Sequence, residues 1–255
     1  APLGDVIILS ADDDPADTIK PRLMAAGADM SRVEMHTAKV RIQKAGKAPE
    51  VHPVDLQDIG LWQEIFRRRP GTKLFIVDPL PSFLGRGVND SKNNEFRAAV
   101  EPFISQVIAP RGVAMLVNTH LNKGLANQTP THRILGSVAY VNLARSVYFV
   151  MRDPETPGRR FLIPDEKSNH APDDLPSLAF SIDRKEFENP DSPGEVIETT
   201  AVEFEPDAVQ VNVRDLMASA KEATGGGQPH IGQAADWLRQ TIEAGGPIGS
   251  MFAAK

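Results

Sequence analysis

Apolar positions along this chain alternate between short continuous runs and stretches of helical period. "DVIILS", Asp5 to Ser10, is an unbroken run of strand length, and "DDPADTIKPRLMAAGA" after it spaces its apolar residues as a helix opened by acids, with Pro15 tolerable in the first turn. "RVEMHTAKV", Arg32 to Val40, predicts a second strand, and the Lys- and Gly-rich stretch after it reads as a loop. "LQDIGLWQEIFRRR" sets Leu56, Ile59, Trp62, Ile65 and Phe66 on one helical face before Pro70-Gly71 stops it. The strand "LFIVDPL", the amphipathic "NNEFRAAVEPFISQVIA" and the strand "GVAMLVNTH", Gly112 to His120, follow in turn. Strand and helix in alternation imply a mostly parallel sheet with helices on its faces, so the expected class is α/β.

From Leu143 the pattern changes. "LARSVYFVMRD", "RRFLIPDEKSN", "SLAFSIDRKEF" and "VIETTAVEFE" are strand-like pieces joined by Pro/Gly turns, and they predict antiparallel strands extending the sheet. "TGGGQPH", Thr224 to His230, reads as a linker, and "IGQAADWLRQTIEAGG" as a last amphipathic helix. The expected organisation is a core over residues 1–223, the linker 224–230, and a C-terminal helical module beginning at 231–255.

Composition narrows the class only a little. At 255 residues, with 41% hydrophobic and 24% charged residues, the chain can bury one substantial core and is not of the disordered type. Its formal net charge of -6 argues against a surface that grips nucleic acid throughout, though a local basic patch survives such an average. With no cysteine there is no disulfide framework and no thiolate zinc site, and no apolar run reaches the roughly 18 residues that span a bilayer. The simplest expectation is a cytoplasmic protein without a membrane partner.

Chemistry-bearing residues gather at the ends of expected strands. A buried strand is a rigid mount for one charged group at its tip, which is what "LFIVDPL" does for Asp78. The others are "SADDDP" with Asp12 and Asp13, "NTHLNKG" with Asn118, His120 and Lys123, and "DEKSN" with Lys167. Taken singly, the acids could be helix caps, His120 a satisfied polar residue and Lys167 a solvated charge. Taken together, acids, a polar group and a cation beyond successive strand ends suit a divalent cation, a polyphosphate and water.

As an ordered set, "VIILSADDDPADTIKPRL", "LFIVDPLPSFLG", "NTHLNKG", "RILGSVAYVNLARSVYFVMRDPETPGRRFL" and "KSNHAP" resemble the RecA-like ATPases of the RepA helicase type, over about residues 4–184. The resemblance implies a RecA-like P-loop NTPase core that binds ATP and Mg2+ and works as a homo-oligomeric ring, a hexamer, in DNA replication or repair. It makes Asp78 the acid that holds magnesium through water, with Asp13 beside the nucleotide. It also makes Asp12 the carboxylate that polarises the attacking water and His120 the reader of the γ-phosphate. Lys167 matches the basic residue that reaches a neighbouring subunit's nucleotide, and "RILGS", with Arg133 and Ser137, lies in the loop that faces single-stranded DNA, together with Lys123.

Two features depart from that pattern. G-x-x-x-x-G-K-[ST] occurs nowhere in the 255 residues, so the expectation is an N-terminally shortened motor that does not turn over by itself. Asp12 stands where the family usually has Glu; a carboxylate withdrawn by about 1.5 Å can cost on the order of 100-fold in rate. Two rival functions fit the same residues: a degenerate RecA-like scaffold that binds DNA or partners, and a metal-dependent hydrolase using Asp12, Asp13, Asp78 and His120 as ligands.

Overall fold

The structure, a computed structural model, describes residues 3–37, 39–42, 50–120, 138–168 and 175–217. It divides into two compact units, 1–213 and 214–255.

Four parallel strands form its centre: β1 (Asp5–Ser10), β2 (Val33–Thr37), β5 (Thr72–Asp78) and β6 (Ala114–Val117), in the order β2-β1-β5-β6. Ser10 lies opposite Thr37 on one side and Asp78 on the other, so β1 and β5 end level. The chain moves from β1 outward to β2 and later to β5 and β6 on the opposite side, which makes the β1/β5 boundary the point where strand order reverses. In open α/β sheets the crevice outside the carboxyl ends at such a point is where ligands bind.

One face of this sheet is packed by two helices. α2 (Ile59–Arg68) is opened by Asp58, whose carboxylate accepts from Leu61 N–H at 3.1 Å, and it buries Trp62, Ile65 and Phe66. α3 (Asn93–Phe103) buries Phe96, Ala99, Val100 and Phe103. These residues meet Ile7, Leu9, Phe75 and Val77 in one apolar cluster. Each fully buried large side chain there contributes about 1.5–3 kcal/mol of transfer free energy. Pro102, inside α3, removes a backbone donor and crowds the turn before it, and the helix widens at once into a π segment, Ile104–Ile108. A 3-10 turn, Ala109–Arg111, follows, and Gly112, at φ 60, ends the run in the left-handed conformation that glycine adopts without strain.

Alternation puts Leu74, Ile76 and Leu116 on the opposite face, where Leu74 and Ile76 are half-buried and Leu116 is 55% exposed. α1 (Lys20–Ala25), entered through a π turn at Pro15–Ile19, packs against β9 (Ser177–Glu188) and β10 (Val196–Val209). Those two strands, with β7 (Ser146–Arg152) and β8 (Arg160–Ser168), make an antiparallel sheet in the order β10-β9-β8-β7. The α/β class is as the sequence implies. The antiparallel strands, expected as an extension, form a sheet of their own among the described residues.

Two elements differ from the sequence-based expectation. The stretch after β2 contains a two-stranded antiparallel ribbon, β3 (Lys39–Ile42) with β4 (Glu50–Pro53), where a loop was expected. The expected second strand ran on through Val40, so the difference begins at Arg41; "KVRI" and "EVHP" alternate over only four residues each, beside Lys- and Gly-rich sequence, and main-chain pairing defines the ribbon. α4 (Val138–Leu143) is a short helix inside a segment that gives no helical period; Tyr140 stacks on Phe96 at 4.1 Å and donates to Asp90 at 3.0 Å. The linker 224–230 and the helix expected after it lie outside the described residues.

Candidate active site

The three consecutive acids after β1 have three separate employments. Asp14 caps the following turn, accepting from the N–H groups of Ala16 at 2.8 Å and Asp17 at 2.9 Å. Asp13 accepts from Arg22 on α1 at 3.1 Å. Asp12 alone points to the sheet edge, where its Oδ2 stands 3.7 Å from Nε2 of His120. Both side chains are more than half exposed, at 54% and 63%, so this is an open, solvent-reached pair.

Asp78 is tied into the same edge by main-chain and side-chain bonds. Its carbonyl accepts from Ala11 N–H at 2.9 Å, which draws the exit of β1 onto the end of β5. Its carboxylate Oδ1 accepts from Asn118 Nδ2 at 2.8 Å. Asn118 is itself clamped: its N–H donates to Val77 O and its carbonyl accepts from Leu80 N–H, each at 2.9 Å. Two further hydroxyls sit at these strand ends, Ser10 Oγ and Thr119 Oγ1, and both are buried without a hydrogen-bond partner among the described residues. Buried hydroxyls usually find one, so these are conspicuous at a candidate ligand edge.

Asp12, Asp78 and His120 therefore come together at one edge as their positions after parallel strands imply. Asp13 does not join them; Arg22 takes its carboxylate. Lys167 lies on β8, in the antiparallel sheet. Lys123, Arg133 and Ser137 fall outside the described residues. Sequence reasoning missed the role of Asn118: in "NTH" strand alternation puts Asn118 and His120 on the same side of the strand end, and only the contact to Asp78 says which one addresses the acid.

An Mg2+ ion keeps most of its water and asks for one or two carboxylates in strict octahedral geometry. Asp78 fits that demand, since among the described residues its Oδ2 accepts no protein hydrogen bond. No group of three or more His, Asp or Glu side chains able to enclose a metal is found among the described residues. The four-ligand centre of a metal-dependent hydrolase is therefore not assembled there. No helix of the described residues is long and apolar enough to cross a membrane.

No curated protein matches the chain. Among solved structures, the crystal structure of the RadB recombinase is similar at a TM-score of 0.44 and 12% identity, over 70% of this chain and 75% of that one. A family model described as AAA domain matches residues 2–126. The parallel sheet and the edge that carries Asp12, Asp78, Asn118 and His120 thus lie wholly within the segment similar to the AAA domain family.

Proposed function

We propose that this chain carries part of the ATP-hydrolysing core of a RecA-like motor of the RepA helicase type, the part without the G-x-x-x-x-G-K-[ST] loop. The observation that supports it most is the convergence of Asp12, Asp78, Asn118 and His120 outside the carboxyl ends of β1, β5 and β6, where strand order reverses. The likeness of residues 2–126 to the AAA domain family supports the same reading.

In this reading Asp78 would hold Mg2+ through water at its free oxygen, and the cation would supply neutralisation of charge on the nucleotide phosphates. Asp12 accepts the proton of the attacking water, and His120, 3.7 Å from that carboxylate, reports the terminal phosphate. Lys167 completes the site of the next subunit in a ring, and Lys123, Arg133 and Ser137 meet single-stranded DNA. The 255 residues contain no G-x-x-x-x-G-K-[ST] pattern, so the main-chain cradle for the phosphates is not among these side chains.

Steady-state ATPase of the intact gene product, with and without single-stranded DNA, is the test. Turnover that DNA raises and that Asp78→Asn and Asp12→Asn abolish is expected. Turnover indifferent to both substitutions would overturn the assignment of this edge.

A further inference from the structure

We propose that Asn118 is a positioning residue that makes Asp78 a one-oxygen anchor for the cation, an inference that rests on the magnesium-nucleotide reading of this edge. Asn118 Nδ2 occupies Asp78 Oδ1 at 2.8 Å. The amide is held there because its own main chain is bonded to Val77 and Leu80, the near neighbours of Asp78 on either side. Acid and amide therefore move as one unit.

The chemistry of the pair follows from what each group can do. A carboxylate with both oxygens free can turn and chelate a cation through both, the mode that large, loosely coordinated Ca2+ uses. With Oδ1 engaged, Asp78 presents Oδ2 alone, which suits holding Mg2+ or Mn2+ through one of the waters of its compact octahedron. The donor is neutral, so it orients the acid without cancelling its charge, as an Arg or Lys in that position would. Partners that orient a metal-binding group typically matter by about 10- to 100-fold in metal affinity.

The test uses the 255-residue chain, isotope-labelled, with Mn2+ and ATP as the probe and paramagnetic broadening of amide signals as the readout. In the wild type, broadening should concentrate at Ala11, Asp12 and Asp78. Asn118→Ala should move the Mn2+ midpoint up by about tenfold while signals of α2 and α3 stay in place.

The outcomes separate the two claims. Equal midpoints for wild type and Asn118→Ala, with Asp78→Asn clearly weaker, would overturn the role of Asn118 and leave the edge as the cation site. Absence of broadening near Asp78 in the wild type, or its persistence in Asp78→Asn, would remove the magnesium reading and this inference with it.

Discussion

His120 Nε2 stands 3.7 Å from Asp12 Oδ2, although 107 intervening residues and three crossover helices separate them in the chain. The separation exceeds a hydrogen bond, so the imidazole faces the carboxylate without being committed to it. Parallel strands that end level produce this proximity: β1 delivers Asp12, β6 delivers His120, and β5 between them delivers Asp78.

If Asp12 is the group that takes the proton from water, its charge and reach both matter. Asp12→Asn should lower turnover of the intact gene product by about 100-fold with little change in ATP affinity, while Asp12→Glu should raise turnover by extending the carboxylate. A helix-capping role predicts otherwise, because Asn caps about as well as Asp, and here Asp14 already does the capping. Unchanged turnover in Asp12→Asn would take Asp12 out of the site.

Asp78→Asn should behave differently from Asp12→Asn. Losing the cation's anchor weakens nucleotide binding as well as turnover, so the apparent KM for Mg-ATP should rise by about tenfold or more and fall back when Mg2+ is raised. A pure turnover defect with normal KM at every Mg2+ concentration would count against Asp78 as the anchor.

The 255-residue chain by itself should bind ATP more weakly than micromolar and should not hydrolyse it. Phosphate binding of that strength draws on main-chain N–H groups and a lysine of a glycine-rich loop, and no such pattern is present. Titration calorimetry decides it; micromolar binding by this chain would mean that the phosphates are held by other groups.

The parallel sheet was legible because its strands are continuous apolar runs and its helices carry clear apolar faces: Ile7, Leu9, Phe75 and Val77 against Trp62, Phe66 and Phe103. The division of labour among Asp12, Asp13 and Asp14 was not legible. Three identical side chains in a row differ only in direction, and direction is set by the π turn and by Arg22 across it. Asn118 was hidden for a related reason, since strand alternation makes both Asn118 and His120 candidates and gives neither a partner. The β3-β4 ribbon beyond Val40 escaped because its alternating stretches, "KVRI" and "EVHP", are four residues each and lie beside Lys- and Gly-rich sequence that reads as a loop.

Asp153, at the β7-β8 turn, gives a pH test of the second sheet. Burial pushes its carboxyl up, but N–H groups of Glu155 and Thr156, the Thr156 hydroxyl and Arg159 outweigh burial and hold it below its usual 3.8. A carboxyl whose folded value is depressed contributes stability that is fully present above the unfolded value and is lost as pH falls through the folded one. Asp153→Asn should therefore lower the thermal midpoint at pH 7, and its gap from wild type should close below about pH 4. A gap that stays constant from pH 7 to pH 3 would show that the charge of Asp153 is not what holds the turn.

Phe75 tests whether the helices that brace the site pack as described. Its ring is fully buried, with centroids 5.2 Å from Trp62, 5.7 Å from Phe66 and 5.4 Å from Phe103, so it joins β5 to both α2 and the end of α3. Phe75→Ala removes the ring and leaves a cavity that three rigid aromatic neighbours cannot fill, at a cost of about 3–5 kcal/mol. That is a large part of the roughly 5–15 kcal/mol that a domain has. Phe75→Leu should cost less than Phe75→Ala, and Leu116→Ala, on the opposite and 55% exposed face, about 0.5 kcal/mol. Urea denaturation of the three variants measures this ordering. Because Phe75 and Asp78 share one strand, Phe75→Leu should also loosen the edge that carries Asp78, seen as a weaker Mn2+-ATP midpoint in a protein that is still folded. Equal costs for Phe75→Ala and Leu116→Ala would mean that α2 and α3 do not close over this face of the sheet.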